Sequence, residues 1–563
     1  MLFKEHAHRV TVACPSPCGE WVASGDARGV VKIWPARLQE GQLEPQAKAE
    51  LQAMAGAVED IAWSGDSQRI AVGGESRGAC VKAFVWNTGS CVGECSGHSK
   101  RVLSVAFRAE RPFKIASGGE DFYCNFYEGP PFKLKSGSNE HGNFVNALAY
   151  APDGATFVSA GYKNILKWDG LTGERSGEIG GAVAHEGSIY GAAFSPDSSK
   201  LLTCAADKSA KLWDVKSGNC EATFAFAGDA APALEHMQMG CAFAGETPVT
   251  LSLSGDLNCL DASKPGAPAR VVRGHAKPVT ALAAGSGGNE FFSASIDGSV
   301  LRWDVVKGCV GNAMRAHGNA VVGLASRGGA LVSAAMDDTV RMTAAPDEGA
   351  EGESSATDGQ PKTLSAATNA SVSIVVTTSG VSLFDGSKQL SHLGSDAMGF
   401  EPTCAAISPD GSAVAIGSPG GKIYAYERTG DTLSPANEGK PLERHTADVT
   451  QLAYSPDGAI LASGDAKREV VMWDAAKLEL KQTRMVYHTA RITAMAWSPD
   501  STRLATGSLD MSVIVWKVGV LPTKRKTISR AHHGGVQAIT WLDANRLVSG
   551  GADACLRVWK VDE

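Results

Sequence analysis

Short apolar stretches separated by turn-forming residues run the length of the chain, and their spacing predicts β-strands throughout. Val279-Thr-Ala-Leu-Ala (279–283) and Ile492-Thr-Ala-Met-Ala-Trp (492–497) are apolar or alternating runs of the kind that bury one or both faces in a sheet. Ser-Pro-Asp-Gly or a near copy recurs after such runs, at 151–154, 195–198, 408–411, 455–458 and 498–501. Pro presets φ for a turn there, and Asp or Gly completes it. A second run such as Leu504-Ala-Thr-Gly follows, then a third such as Val513-Ile-Val-Trp. No stretch sustains a helical period, so the expected class is all-β. The one biased segment, 346–361, is rich in Asp, Glu, Gly and Ser and reads as an acidic loop or insertion.

A second pattern overlies the first. His185, Thr203, Asp207 and Trp213 form a set that recurs as His275, Ser293, Asp297 and Trp303. It returns as His488, Thr506, Asp510 and Trp516, and again as His532, Ser549, Asp553 and Trp559. In each set the hydroxyl precedes the Asp by four residues and the Trp follows it by six. Trp168 to Trp213, Trp473 to Trp516 and Trp516 to Trp559 step by 43 to 45 residues, the period of a four-stranded WD40-type propeller blade. The Asp sits in a tight turn and can hold the imidazole, while the hydroxyl and the indole N–H extend a buried chain of donors. A catalytic triad is used once, whereas this set repeats at blade spacing, so its role is structural.

Thirteen units are readable, beginning with His8 to Trp34 and ending at Trp559. Degenerate copies put Tyr127, Thr343 or Phe384 where Trp belongs. Propellers have about four to eight blades, so two rings are needed. The expected split is seven blades over residues 1–310 and about six over 311–563.

Composition narrows the function classes. Lys+Arg 53 against Asp+Glu 60 gives a formal charge of −7, which argues against nucleic acid as a partner. No run of 18 apolar residues suggests a membrane span, and the first residues lack the apolar region of a signal peptide. The 13 cysteines are scattered, without paired zinc spacing, and fit a reducing cytoplasm. No P-loop and no Gly-x-Ser-x-Gly elbow is found. The expectation is a non-enzymatic, monomeric binding protein with no cofactor and no metal.

One region is more particular than a generic blade. Arg111-Pro-Phe-Lys-Ile-Ala-Ser-Gly-Gly-Glu-Asp (111–121), Tyr127-Glu-Gly-Pro-Pro-Phe-Lys-Leu-Lys (127–135) and Glu140-His-Gly-Asn-Phe-Val-Asn (140–146) resemble the third-to-fourth blade region of the actin-interacting protein 1 (WD-repeat protein 1) family. Glu5-His-Ala-His, Ala23-Ser-Gly-Asp, Trp497-Ser-Pro-Asp and Leu504-Ala-Thr-Gly-Ser-Leu-Asp carry the resemblance over essentially the whole chain. It implies tandem seven-bladed propellers arranged like an open clamshell. It further implies binding to actin filaments decorated by actin-depolymerising factor/cofilin, and promotion of their severing and disassembly. The setting it implies is the cytoplasm, at actin-rich structures of the cytoskeleton. An exposed acidic and aromatic cluster on the first propeller is implicated in that family. On matching motifs it falls at Glu120, Leu134 and Phe144, with Phe132 and Lys133 beside Leu134 and with Glu75 and Arg77 in the second-blade loop. Leu134 stands where the family pattern has an aromatic residue, and Gly78 where a charged one would fit.

Other readings compete at these positions. Phe132 and Leu134 flank Lys133 on alternate residues, so one strand face could bury both. Phe144 follows the blade histidine and could plug the space between blades. Glu120 should project from its turn, where solvation is the default. A generic WD scaffold that binds peptides on its ring faces is the alternative function. Family members also begin with one more blade-sized segment ahead of Glu5-His-Ala-His. The expectation is therefore a complete first propeller and a gapped second one.

Overall fold

The computed structural model describes residues 6–37, 46–226, 233–285, 287–327, 329–343 and 352–561. These form thirteen antiparallel sheets in chain order. Blades 1 to 6 span residues 10–52, 58–95, 102–138, 147–179, 189–225 and 238–272. Blades 7 to 13 span 279–315, 321–356, 361–394, 404–443, 449–485, 492–528 and 536–560. Most have four strands in sequence order; blade 10 adds a fifth, and blade 13 shows three among the described residues. Within blades 1 to 6, and again within blades 7 to 13, the first strand of each blade packs against the first strand of the next. The second strand is sandwiched on both faces, as the continuous burial of Lys114–Gly119 and Ile460–Asp465 shows. Hence its sequence is small or apolar rather than alternating.

Recurring glycines set the blade-to-blade distance. A side chain at Gly464 would come within 2.9 Å of Ile492, one at Gly507 within 2.6 Å of Val536, and one at Gly417 within 2.9 Å of Val449. Each glycine lets a β-branched residue of the following blade nest against the backbone. Gly550 of blade 13 repeats the contact, but its partner is Val279 of blade 7, at 2.6 Å. Val279, Leu282 and Phe291 share one apolar cluster with Ala538, Leu542 and Val548. Arg546 donates to Asn289 Oδ1 and to the Gly288 carbonyl, both at 2.8 Å.

Blade 7 therefore closes a ring with blades 8 to 13, and the compact units are Met1–Val271 and Val272–Glu563. This corrects the split at residue 310. The second unit is a closed seven-bladed ring, and the first holds blades 1 to 6 in series. In blade 6, Leu251 takes the register that Gly25 holds in blade 1, and it is exposed. Among the described residues no packing of comparable extent joins blade 6 to blade 1. The acidic segment at 346–361 is corrected in part. Residues 346–351 lie outside the described residues, but Glu353–Ala356 is the outer strand of blade 8.

The recurring side chains staple each blade. In blade 5 the Trp213 indole N–H donates to Thr203 Oγ1 at 2.8 Å, and Thr203 Oγ1 meets His185 Nε2 at 2.8 Å. Nδ1 of His185 reaches Asp207 at 2.8 Å. An indole can only donate and a carboxylate only accept, so Nδ1–H donates to Asp207 and the Thr203 hydroxyl accepts from the indole. Blades 12 and 13 repeat the geometry through His488, Thr506, Asp510 and Trp516, and through His532, Ser549, Asp553 and Trp559. In blade 7 Trp303 and His275 both meet Ser293 at 2.6 Å, and Ser299 relays Asp297 to His275. In blade 1 the histidine is His6, not His8, joined to Ser24 and Asp26. Burial works against the Asp207 carboxylate, but hydrogen bonds from His185 and Ser209 outweigh it and hold its pKa low. Burial, against opposing contributions from Asn164 and Asp297, lowers His141 and His275 to about 4.

Candidate functional site

The turn between the second and third strands of blade 3 carries the site. His98 meets Ser117 at 2.7 Å and Asp121 at 3.0 Å, and Asp121 also accepts from the Ser99 N–H. With that turn fixed, Glu120 projects beside it, its own N–H bound to the Arg101 carbonyl. Glu120 is not simply solvated. Its carboxylate accepts from Arg101 Nη2 at 2.5 Å and Nε at 3.1 Å, and Arg101 Nη1 also reaches Glu59 of blade 2 at 3.0 Å. Glu120, and then Glu59, hold the guanidinium more firmly protonated than usual. The chain Glu59–Arg101–Glu120 fixes the side chain and leaves one net negative charge at the seam of blades 2 and 3.

An aromatic pair adjoins it. Phe144 opens blade 4 with 42% of its surface exposed, and its ring lies 5.8 Å from that of Phe122, exposed by 36%. Phe122 follows Asp121 at φ +72°, the left-handed region that a bulky residue adopts at a cost of about 1–3 kcal/mol. Other blades place Lys208, Gly298, Asp338, Met511 or Ala554 at this left-handed position. Tyr162 of blade 4 is half exposed beneath Lys163. The sequence reading missed Phe122, Tyr162 and Arg101. A large aromatic at the left-handed turn position was the available signal for Phe122.

The other expected residues scatter. Glu75 sits in blade 2 at the register of Glu120, its N–H bound to the Ala57 carbonyl, and both Glu75 and Arg77 are exposed. Leu134 and Lys133 are exposed on the outermost strand of blade 3, Lys133–Ser138, where Leu134 packs over Gly97 rather than joining Phe144. Phe132 is corrected to a core residue: it is 1% exposed and meets Phe107 edge-on at 5.5 Å. Gly93 leaves the space it fills.

Chemistry beyond binding finds little support in the groups that are close together. His445, Asp465 and Glu469 approach one another in blade 11, but His445 bonds Asp465 and Ser463, and Glu469 pairs with Arg444. Burial pushes the Cys95 and Cys124 thiols up to about 12, far from thiolate reactivity. No helix among the described residues is long and apolar enough to cross a membrane.

The fold and its repeated staples define a WD-repeat propeller protein. The WD domain, G-beta repeat family matches residues 1–35, 89–128, 133–169, 180–214, 266–304, 437–474, 480–517 and 523–560. The chain is 41% identical to actin-interacting protein 1-2 of Arabidopsis thaliana over 86% of its own length and 79% of that protein. It is 37% identical to WD repeat-containing protein 1 of Gallus gallus over 84% of this chain and 76% of the relative. Against the 66 kDa stress protein of Physarum polycephalum the identity is 39%, over 86% and 79%. The chain belongs to the family of WD repeat-containing protein 1 and actin-interacting protein 1.

Proposed function

We propose that this protein binds actin filaments and, together with actin-depolymerising factor/cofilin, speeds their disassembly without catalysing a chemical step. Relatives named actin-interacting protein 1, at 35–41% identity over 84–86% of this chain, support actin as the partner. The observation that carries the reading is the exposed Phe122–Phe144 pair beside the clamped Glu120. Rigid aromatic side chains set near a fixed charge have the composition of a protein-binding hot spot. The site acts from a single chain, with no cofactor, at actin-rich structures of the cytoplasm.

The mechanism is a population shift. A surface that fits cofilin-distorted filaments better than bare ones stabilises the distorted form by its differential affinity. A tenfold preference contributes about 1.4 kcal/mol per bound molecule. Subunit contacts weaken accordingly, and severing needs no covalent step. Filament co-sedimentation tests this: the protein should pellet with cofilin-decorated filaments at least tenfold more tightly than with bare ones. Equal binding to both, or binding to neither, would remove the reading.

A further inference from the structure

The closed second unit carries another surface at the same register as Glu120. In blades 12, 7 and 8 the residue before the turn aspartate is Leu509, Ile296 and Met336, exposed by 43%, 45% and 40%. Each backbone N–H is held by a carbonyl where the first strand begins: Arg491 at 3.2 Å, Pro278 at 3.2 Å and Ala320 at 2.8 Å. The Glu120 N–H is held in the same way by Arg101. Ala552 occupies the position in blade 13, bound to the Gly535 carbonyl. Ring closure makes blades 12, 13, 7 and 8 consecutive, so these four residues form one apolar arc on the histidine–aspartate face.

Charge around the arc is uneven. Lys277 of blade 7 and Arg491 of blade 12 lie in the loops that follow His275 and His488; both are exposed, and no ion pair among the described residues engages either. The turn carboxylates Asp297, Asp510 and Asp553 are committed to the staples. Asp338, beside Met336, is the exposed acid at the blade 8 end, and Asp448 lies beyond blade 12 on blade 11. Backbone donors at the arc are already bonded, so recognition falls to the side chains.

We infer that this arc is a docking site for an extended peptide segment of a partner protein, carrying large apolar side chains interspersed with carboxylates. The apolar side chains rest on Leu509, Ala552, Ile296 and Met336, and the carboxylates meet Arg491 and Lys277. Exposed large apolar residues at one register on neighbouring blades are otherwise a solubility liability.

The test is selection of displayed random dodecapeptides on the full chain, followed by fluorescence anisotropy of the enriched sequences. Enriched peptides should combine Leu, Ile or Phe with Asp or Glu. Their affinity should fall at least tenfold on the variant Ile296→Ser/Met336→Ser/Leu509→Ser and on the variant Lys277→Glu/Arg491→Glu. The charge variant changes only exposed cations, so it decides the outcome if the apolar variant folds poorly. Enrichment of basic peptides, no enrichment, or binding unchanged in the charge variant would overturn the assignment.

Discussion

Thr203→Val in blade 5 is the sharpest test of the staple. Thr203 is fully buried, and its hydroxyl is at once the acceptor for the Trp213 indole N–H and the partner of His185 Nε2, both at 2.8 Å. Valine keeps the volume and removes the oxygen, so no cavity opens while two buried polar groups lose their partner. At about 1.5 kcal/mol for each stranded group, the cost is about 3 kcal/mol. For a unit of this size that corresponds to a fall in Tm of about 6 °C in the transition that contains blade 5. Scanning calorimetry and urea unfolding of the full chain would read it. Trp213→Phe and the double variant complete a cycle, and a coupling of at least about 1 kcal/mol is expected because both changes act on one hydrogen bond. A loss below about 0.5 kcal/mol with no coupling would show that the repeated set is not what stabilises the blade.

Three further outcomes follow from the same structure. Gly550→Val should destabilise the second unit by about 1–3 kcal/mol through overpacking against Val279, with faster proteolysis, whereas Gly318→Ala, in open space and outside the left-handed region, should leave that cleavage rate unchanged. If Gly550→Val is equally silent, blade 7 does not close the ring. Acidification from pH 7 to 4.5 should destabilise the protein, because His141 and His275 have folded pKa values near 4, so their contribution is present above about pH 6.5 and lost as pH falls. Asp60 opposes this: burial raises its carboxyl to about 6 against hydrogen bonds from Val105 and Ser104, so its ionisation costs stability as pH rises from about 4 to 6. Asp60→Asn should therefore steepen the acid loss over that range by about 2 kcal/mol, and an unchanged pH slope would refute that environment.

The blade was legible because the staple demands particular atoms at fixed offsets. His185, Thr203, Asp207 and Trp213 cannot exchange places without stranding a donor. Its variants were harder to read. Asp26 and Asp465 lie two residues after the hydroxyl rather than four, and Asn164 serves His141 where an aspartate is usual. Ring closure was not legible, since Gly550 and Val279 are far apart in sequence and every blade offers the same local pattern. Phe132 was placed at the site by its motif, and the alternation that would bury both Phe132 and Leu134 holds for Phe132 but fails for the exposed Leu134, because it applies only within a strand. The strand begins at Lys133, and a register shift between Phe126 and Tyr127 separates it further from a simple period. Phe144 was legible only through its motif, and its neighbour Phe122 required the turn geometry to be seen.

The proposed function meets its most direct test in the rate of actin release from cofilin-decorated filaments, compared between the wild-type chain and Glu120→Ala/Phe144→Ala. Both residues lie outside the core, so the melting temperature should be nearly unchanged while release slows at least tenfold toward the rate with cofilin alone. Release at the wild-type rate by a folded double variant would contradict the account and move the binding face elsewhere on the protein.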